Sequence, residues 1–182
     1  VIDGTQTTTV TVAVVDASSA DAYDSVADST VSVTTSDDDT AGFTLSGTSA
    51  TVTEAGSTAT FTAVLDAQPA SDVVLSVSSA DTGEATVSPA QLTFTSSNWN
   101  AAQTVTVTGV DDSLTDGNQT TAVTVSVVDA SSDNTFDPLA DQTVTVTTSD
   151  NDSPGISTTE SDGSTGTTET GGTDSFTVVL NT

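Results

Sequence analysis

Apolar and hydroxyl-bearing residues alternate along most of the chain, as where Val144 and Val146 stand between threonines in the segment 142–148. A period of two residues predicts β-strands that bury one face. Threonine is a good strand former that stays soluble on the other face. The pattern predicts seven strands in the middle of the chain, at 43–53, 57–66, 72–78, 91–95, 103–110, 119–128 and 142–148.

Turn-forming residues separate these strands, and no stretch has a convincing helical period. Seven short strands in about 110 residues, each with one apolar face, are typical of an antiparallel immunoglobulin-like β-sandwich. We therefore predict an all-β fold, with Trp99 capping one end of the core.

The sequence repeats itself, which indicates tandem domains. VVDASS occurs at 14–19 and again, 113 residues later, at 127–132, and DSTVSVTTSDDD at 28–39 returns as DQTVTVTTSDND at 141–152. TEAGSTATFTAVL at 53–65 is echoed at 168–180 by TETGGTDSFTVVL. A repeat of this length fits one independent domain. We predict the C-terminal part of one repeat at 1–40, a complete repeat at 41–152 and the N-terminal part of the next at 153–182, within a longer array.

The charge of the chain is one-sided, with 26 carboxylates and no lysine, arginine or histidine. A formal charge of −26 opposes binding to nucleic acid and to anionic membranes. The chain also has no apolar run long enough to insert directly into a membrane. Because histidine, cysteine and lysine are absent, the usual general bases and nucleophiles are missing, and we expect no enzymatic activity.

The predicted strand order gathers many of the acids. In an up-and-down order, the first, third, fifth and seventh strands end at the same pole of the sandwich. Like charges held close together repel unless cations bind them, and Ca²⁺ takes six to eight oxygen ligands. We therefore predict Ca²⁺ binding there; the alternative is an acidic, solvated set of loops. The oxygen-bearing side chains at this pole are Glu54, Asp81, Glu84, Asp111, Asp112, Asp116, Asp150, Asn151 and Asp152.

The flanking segments carry equivalents of these residues. Asp37, Asp38 and Asp39 close the first repeat where Asp150, Asn151 and Asp152 close the second. Asp3 matches Asp116, and Glu169 matches Glu54. We include these five matching acids in the predicted metal-ligand set. A second acidic set, which contains Asp129, Asp133, Asp137 and Asp141, is expected at the other pole as a solvated loop or as a contact with a neighbouring repeat.

The stretches VTEAGSTATFTAVL and VTVTGVDDSLTDG, with the terminal acidic triplet, resemble the Calx-beta family. That family occurs in sodium–calcium exchangers and in tandem within large bacterial surface proteins. The resemblance implies Ca²⁺ binding at the pole by Glu54, Asp81, Asp111, Asp112, Asp116 and the triplet at 150–152. Asn151 stands where a carboxylate is usual, which implies a site with one charge fewer.

The junctions at 40–42 and 153–155 are short, so cations there would fix one repeat relative to the next. We expect an extracellular, calcium-stiffened rod, either the stalk of a cell-surface adhesin or a secreted surface filament. Its partners would be neighbouring repeats of the same chain and identical chains in a filament. The alternatives are a carbohydrate- or ligand-binding sandwich, which needs an exposed aromatic platform, and an ice-binding surface built on the T-x-T runs.

Overall fold

The computed structural model describes residues 1–181 and is all-β with sandwich-like sheets, which confirms that part of the predicted fold class. Three short 3₁₀ turns lie at Asp16–Ser18, Asp21–Tyr23 and Asp129–Ser131. In the described range, no helix is long and apolar enough to cross a membrane. The strands are β1 (Gln6–Val12), β2 (Ser29–Thr35), β3 (Phe43–Leu45), β4 (Ser49–Thr53), β5 (Thr58–Leu65), β6 (Val73–Ser79), β7 (Ala85–Ser88), β8 (Gln91–Phe94), β9 (Gln103–Gly109), β10 (Gln119–Val127), β11 (Gln142–Ser149), β12 (Gly155–Glu160) and β13 (Phe176–Asn181).

Strands β3 to β11 form a two-layer structure that we call the central sandwich. One sheet has five strands in the order β4-β11-β10-β6-β8, and the other has four in the order β3-β5-β9-β7. All strand neighbours are antiparallel except β4 and β11, which are parallel. Two packed sheets of this kind bury one face of each sheet against the other.

The alternation in the sequence sets the core of the central sandwich. On β6, for example, Val73, Leu75 and Val77 are buried, whereas Val74 and Ser76 between them are partly exposed. The same alternation runs along β9, β10 and β11. Trp99 is partly buried against this core, as predicted, in the connection between β8 and β9. The largest fully buried apolar side chains include Phe94, Phe136 and Leu75.

The central sandwich has nine strands, so the prediction of seven was wrong by two. The predicted strand 43–53 is two strands in different sheets: the backbone N–H of Ser46 donates to the carbonyl of Thr62 in β5 at 2.9 Å, whereas the carbonyl of Thr48 accepts from Thr145 in β11 at 2.9 Å. The second missed strand is β7, which lies inside a predicted loop and pairs with β9. Alternation alone does not reveal which sheet a strand joins.

The flanking segments form two hairpins. β1 pairs with β2 in the register that β10 and β11 use, since Gln6 faces Thr35 and the equivalent Gln119 faces Thr148. β12 pairs with β13 as β3 pairs with β5. Both hairpins leave their apolar side chains exposed, in contrast to the equivalent strands of the central sandwich.

Candidate metal centre

The carboxylates of the central sandwich stand at the ends of strands. No aspartate or glutamate lies within any of the strands β3 to β11, whose outward positions are mostly serine and threonine. The acids therefore concentrate in the loops at the two poles of the sandwich. The pole with the β4–β5 turn holds the candidate centre.

Glu54 is the most buried acid of this pole. It lies in the turn between β4 and β5, and its side chain is only 2% exposed. Its backbone N–H donates to the carbonyl of Ser149 at 3.2 Å, and its Oε2 accepts a hydrogen bond from the backbone N–H of Asn151 at 3.1 Å. These two bonds attach the β4–β5 turn to the end of β11, where Asp150 and Asp152 stand.

Asp150 links the end of β11 to the loop at 111–118. Its Oδ2 accepts a hydrogen bond from the backbone N–H of Gly117 at 2.7 Å, and its Oδ1 accepts one from the backbone N–H of Asp152 at 2.7 Å. Gly117 has a φ of +73°, a conformation that glycine adopts without steric cost. The loop is thereby held with Asp112 and Asp116 beside the β11 terminus.

Six carboxylates form two groups of three at this pole. One group contains Glu54, Asp150 and Asp152; the other contains Glu84, Asp112 and Asp116. Within each group, one carboxylate oxygen per residue lies within 4.8 Å of the others. Oxygen ligands of one Ca²⁺, each at 2.3–2.6 Å from the ion, are no more than about 5 Å apart. Each group therefore has the dimensions of half a calcium coordination shell.

The local electrostatics are unfavourable for ionised carboxylates. Burial, followed by the charges of Asp116, Asp81 and Asp112, raises the pKa of Glu84. Burial, followed by the charge of Asp150, raises the pKa of Asp152. Within the part of the chain that the structure describes, Glu84 Oε2 and Asp152 Oδ2 are buried without a hydrogen-bond partner. A buried, unpaired carboxylate oxygen is costly, and a bound cation would remove that cost.

Glu54 is subject to opposing influences. The hydrogen bond from Asn151 lowers the pKa of Glu54, but burial and the charges of Asp150, Asp112 and Asp152 outweigh it. The resulting pKa lies above the usual value of a glutamate. The same surroundings that disfavour its charge would favour a divalent cation.

Five of the eight ligands predicted in the central repeat lie in these two groups; Asp81, Asp111 and Asn151 lie outside them. Asp81 Oδ1 accepts the backbone N–H of Gly83 at 2.8 Å, and its carbonyl accepts that of Ala85 at 3.2 Å, so this residue shapes the turn before β7. Asp111 Oδ1 accepts a hydrogen bond from the side-chain amide of Asn151 at 3.0 Å. Asn151 therefore neutralises no charge there but supplies a donor to one carboxylate.

Glu84 is absent from the eight ligands that the Calx-beta resemblance implied, although the predicted strand order placed it at the same pole. It immediately precedes β7, which begins at Ala85, and the carbonyl of Glu84 accepts the backbone N–H of Val110 at 2.9 Å. That bond brings Glu84 beside the 111–118 loop. The signal in the sequence was the short alternating stretch ATVS, which follows Glu84 directly and is a strand.

The predicted ligands of the flanking segments are arranged less completely. Asp37 accepts the backbone N–H groups of Asp3 at 3.1 Å, Gly4 at 2.8 Å and Asp39 at 3.0 Å, and these bonds hold its pKa below the usual value. Asp38 and Glu169 are exposed. None of the predicted flanking ligands belongs to a group of three acids within the described residues.

Comparisons with known proteins show that this chain is similar to other proteins in fold. No protein-family model and no curated protein matches the chain. Among solved structures, domains 1–6 of the surface layer protein SbsC match at 17% identity and a TM-score of 0.46, over 87% of this chain and 24% of that one. Domains 4 and 5 of SbsC match at 22% identity and a TM-score of 0.43, over 67% and 59%. The E. coli chaperone DraB matches at 9% identity and a TM-score of 0.46, over 61% and 56%. The chain is similar to these β-sandwich proteins in fold.

Proposed function

We propose that the central sandwich binds Ca²⁺ at the pole of Glu54 and that the chain is a calcium-stiffened structural repeat region. Its setting would be the cell surface or the medium, as an adhesin stalk or a surface filament. The observation that carries the proposal is the pair of carboxylate groups at one pole, in a chain without any basic side chain. Six converging carboxylates without a counter-charge repel one another, and a divalent cation is the simplest remedy.

The donor set favours Ca²⁺ over other metals. The chain has no histidine or cysteine, which zinc and copper prefer, so the available ligands are oxygen atoms. Ca²⁺ accepts six to eight oxygens in a flexible geometry, whereas Mg²⁺ demands a tighter octahedron and keeps several waters. Carboxylates that come from several separate connections suit the larger ion.

Ca²⁺ binding would stiffen the repeat because the ligands belong to four separate segments of the chain. They come from the β4–β5 turn, the approach to β7, the 111–118 loop and the end of β11. Only Asp150 to Pro154 separate β11 from β12, so ions at Asp150 and Asp152 would fix the exit of the chain. Extracellular calcium modules bind with Kd values of about 10⁻⁴ to 10⁻³ M. One site at a hundred times its Kd adds about 2.7 kcal/mol to the stability of the folded state.

The domain division at 1–40, 41–152 and 153–182 is part of this proposal. The shared strand registers of β1–β2 with β10–β11, and of β12–β13 with β3–β5, support it. The partners would be neighbouring repeats of the same chain and identical chains in a filament. In a repeat array, stability depends on the contacts between neighbours as well as on each unit.

The test compares thermal unfolding of the full chain in calcium and in EDTA, together with calorimetric titration of Ca²⁺ and small-angle scattering of particle length. We expect calcium to raise the melting temperature and to extend and stiffen the particle. A double variant Asp112→Asn/Asp116→Asn should lose most of this response. The matched control, Asp129→Asn/Asp141→Asn, removes the same charge from the other pole and should keep it. Equal melting curves in calcium and EDTA for the unaltered chain would refute the proposal.

A further inference from the structure

The first residues of the chain contact the central sandwich at the end that is remote from Glu54. The backbone N–H of Ile2 donates to the carbonyl of Gln68 at 3.0 Å. The Ile2 side chain is partly buried and packs against the core of the central sandwich. Gln68 lies in the turn between β5 and β6, which we call the 66–72 turn. The contact combines a backbone hydrogen bond with an apolar side chain and involves no charged group.

The 66–72 turn is a firm platform for this contact. The carboxylate of Asp133 accepts the backbone N–H groups of Ala70 at 2.8 Å and Ser71 at 3.0 Å. The side-chain amide of Gln68 donates to the carbonyl of Ser96 at 2.7 Å. Pro69 is buried. These anchors tie the turn to the β8–β9 connection and to the β10–β11 connection.

The segment that carries Ile2 is held from its other side. Asp37 binds the backbone N–H groups of Asp3 and Gly4, and Gly4 has a φ of +69°. Asp150 binds the backbone N–H of Gly117, whose φ is +73°, in the same way. The sequences VIDG at 1–4 and LTDG at 114–117 therefore adopt one arrangement in two places, each fixed by the aspartate that follows the last strand of its hairpin.

We propose that this loop is a docking element between repeats, and that its partner is the 66–72 turn of the repeat that follows it. Ile2 occupies that position on the central sandwich. Leu114, which is 62% exposed, and Thr115 present the equivalent element to the corresponding turn of a further repeat. The repeats are all acidic and repel each other electrostatically. A contact that carries no charge can join them without adding to that repulsion. The docking needs no cation and goes beyond the proposed calcium function.

The proposal predicts a fixed orientation of the β1–β2 hairpin on the central sandwich. Residual dipolar couplings of the full chain in EDTA should fit one alignment tensor for both parts. In Ile2→Asp, the hairpin couplings should shrink and depart from that tensor, because the charge opposes burial and the apolar contact is lost. Ile2→Leu should keep the common tensor. Thr115→Asp adds the same charge at the equivalent position of the other loop, where the side chain is exposed, and should also keep it.

A second measurement guards against general unfolding of the variant. Amide hydrogen exchange should show the Ile2 N–H protected in the unaltered chain and unprotected in Ile2→Asp, whereas the amides of β9 and β10 stay protected in both. A common tensor that persists in Ile2→Asp would overturn the docking proposal. So would separate tensors in the unaltered chain, or an Ile2 amide that exchanges as fast as that of Thr115.

Discussion

The Glu54 carboxylate accepts a hydrogen bond from the backbone N–H of Asn151, with 3.1 Å between Oε2 and the nitrogen. This bond places an acid that is 2% exposed beside Asp150 and Asp152, which lie one residue to either side of Asn151. Without a cation, the fold thus holds Glu54 where its charge is disfavoured. Folding and cation binding are coupled at this residue, because a ligand that binds only the folded state stabilises it.

Replacing Glu54 with glutamine should have opposite effects with and without calcium. In EDTA, Glu54→Gln should raise the melting temperature, because it removes a buried like charge and keeps an oxygen that accepts the Asn151 N–H. In calcium, the variant should gain less stability than the unaltered chain, because one carboxylate ligand is lost. Differential scanning calorimetry of the full chain in both buffers measures the two shifts.

Asp141→Asn is the matched control for this prediction. Asp141 is exposed and stands outside both carboxylate groups, so its replacement removes one charge without removing a predicted ligand. It should leave the calcium response unchanged. If Glu54→Gln lowered the melting temperature in EDTA, the charge at position 54 would be stabilising and the electrostatic argument would fail.

The metal-free chain should become more stable as the pH falls from 7 to about 5. The folded-state pKa values of Glu54, Glu84 and Asp152 are raised, so the folded protein binds these protons more tightly than the unfolded chain does. The stability from each proton is complete below the ordinary pKa and is lost as the pH rises through the raised one. Melting temperatures in metal-free buffers from pH 7 to 5 measure this.

Excess calcium should reverse that slope, because protons then compete with the cation for the same oxygens. Acids with lowered pKa values do not interfere in this window. Asp37 and Asp133 lose their stabilising contribution only as the pH falls below the ordinary aspartate value of 3.8. A metal-free chain whose stability stayed flat or fell from pH 7 to 5 would contradict the raised pKa values.

The position of the site could be predicted from the sequence, but one ligand could not. Counting strands placed the acids of four segments at one pole, and Glu54, Asp112, Asp116, Asp150 and Asp152 do converge there. Alternation over only four residues was too short to mark β7 as a strand. Because β7 was not predicted, the sequence could not distinguish Asp81 from Glu84 as loop acids. In the structure, Glu84 directly precedes β7 and belongs to a carboxylate group, whereas Asp81 forms the turn before the strand.

Asp133 is expected to stabilise the other pole. Its carboxylate is 7% exposed and accepts the N–H groups of Ala70 and Ser71 as well as the N–H and hydroxyl of Thr135. Burial raises the pKa of Asp133, but these four hydrogen bonds outweigh it and hold the pKa below its usual value. Asp133→Ala leaves the donors unpaired and should lower the free energy of unfolding by about 2 kcal/mol.

Urea denaturation at pH 7 checks this value, with Asp141→Asn again as the control. The loss should shrink as the pH falls below the ordinary aspartate value of 3.8 and through the lowered pKa of Asp133, because the protonated carboxyl accepts these hydrogen bonds less well. A change of under about 0.5 kcal/mol, which is usual for an exposed surface substitution, would show that Asp133 does not hold the 66–72 turn.

Residues in connections were the hardest part of the core to predict. Strand alternation accounts for Phe61, Val105, Val123 and similar core positions, because one face of each strand must be buried. Phe136 is also fully buried, yet it lies between β10 and β11, where no period exists. Its place depends on tertiary contacts: its N–H binds the carbonyl of Asp133, which is itself fixed by the 66–72 turn.

The close approach of the two sheets at Gly109 gives a final prediction. Gly109 is the last residue of β9, and a Cβ there would lie 2.9 Å from the Thr53 carbonyl carbon and 3.1 Å from Val52 Cγ2. Gly109→Ala must therefore push β9 away from β4, beside the Glu54 turn, and should lower the free energy of unfolding by about 3 kcal/mol.

Gly47→Ala is the control for this prediction, since its Cβ would meet only the Ser49 carbonyl oxygen at 4.0 Å. Urea denaturation measures both variants, and calcium titration of Gly109→Ala should show weaker binding because the turn that carries Glu54 moves with β4. A Gly109→Ala chain as stable as Gly47→Ala would mean that the sheets are not in contact at this point.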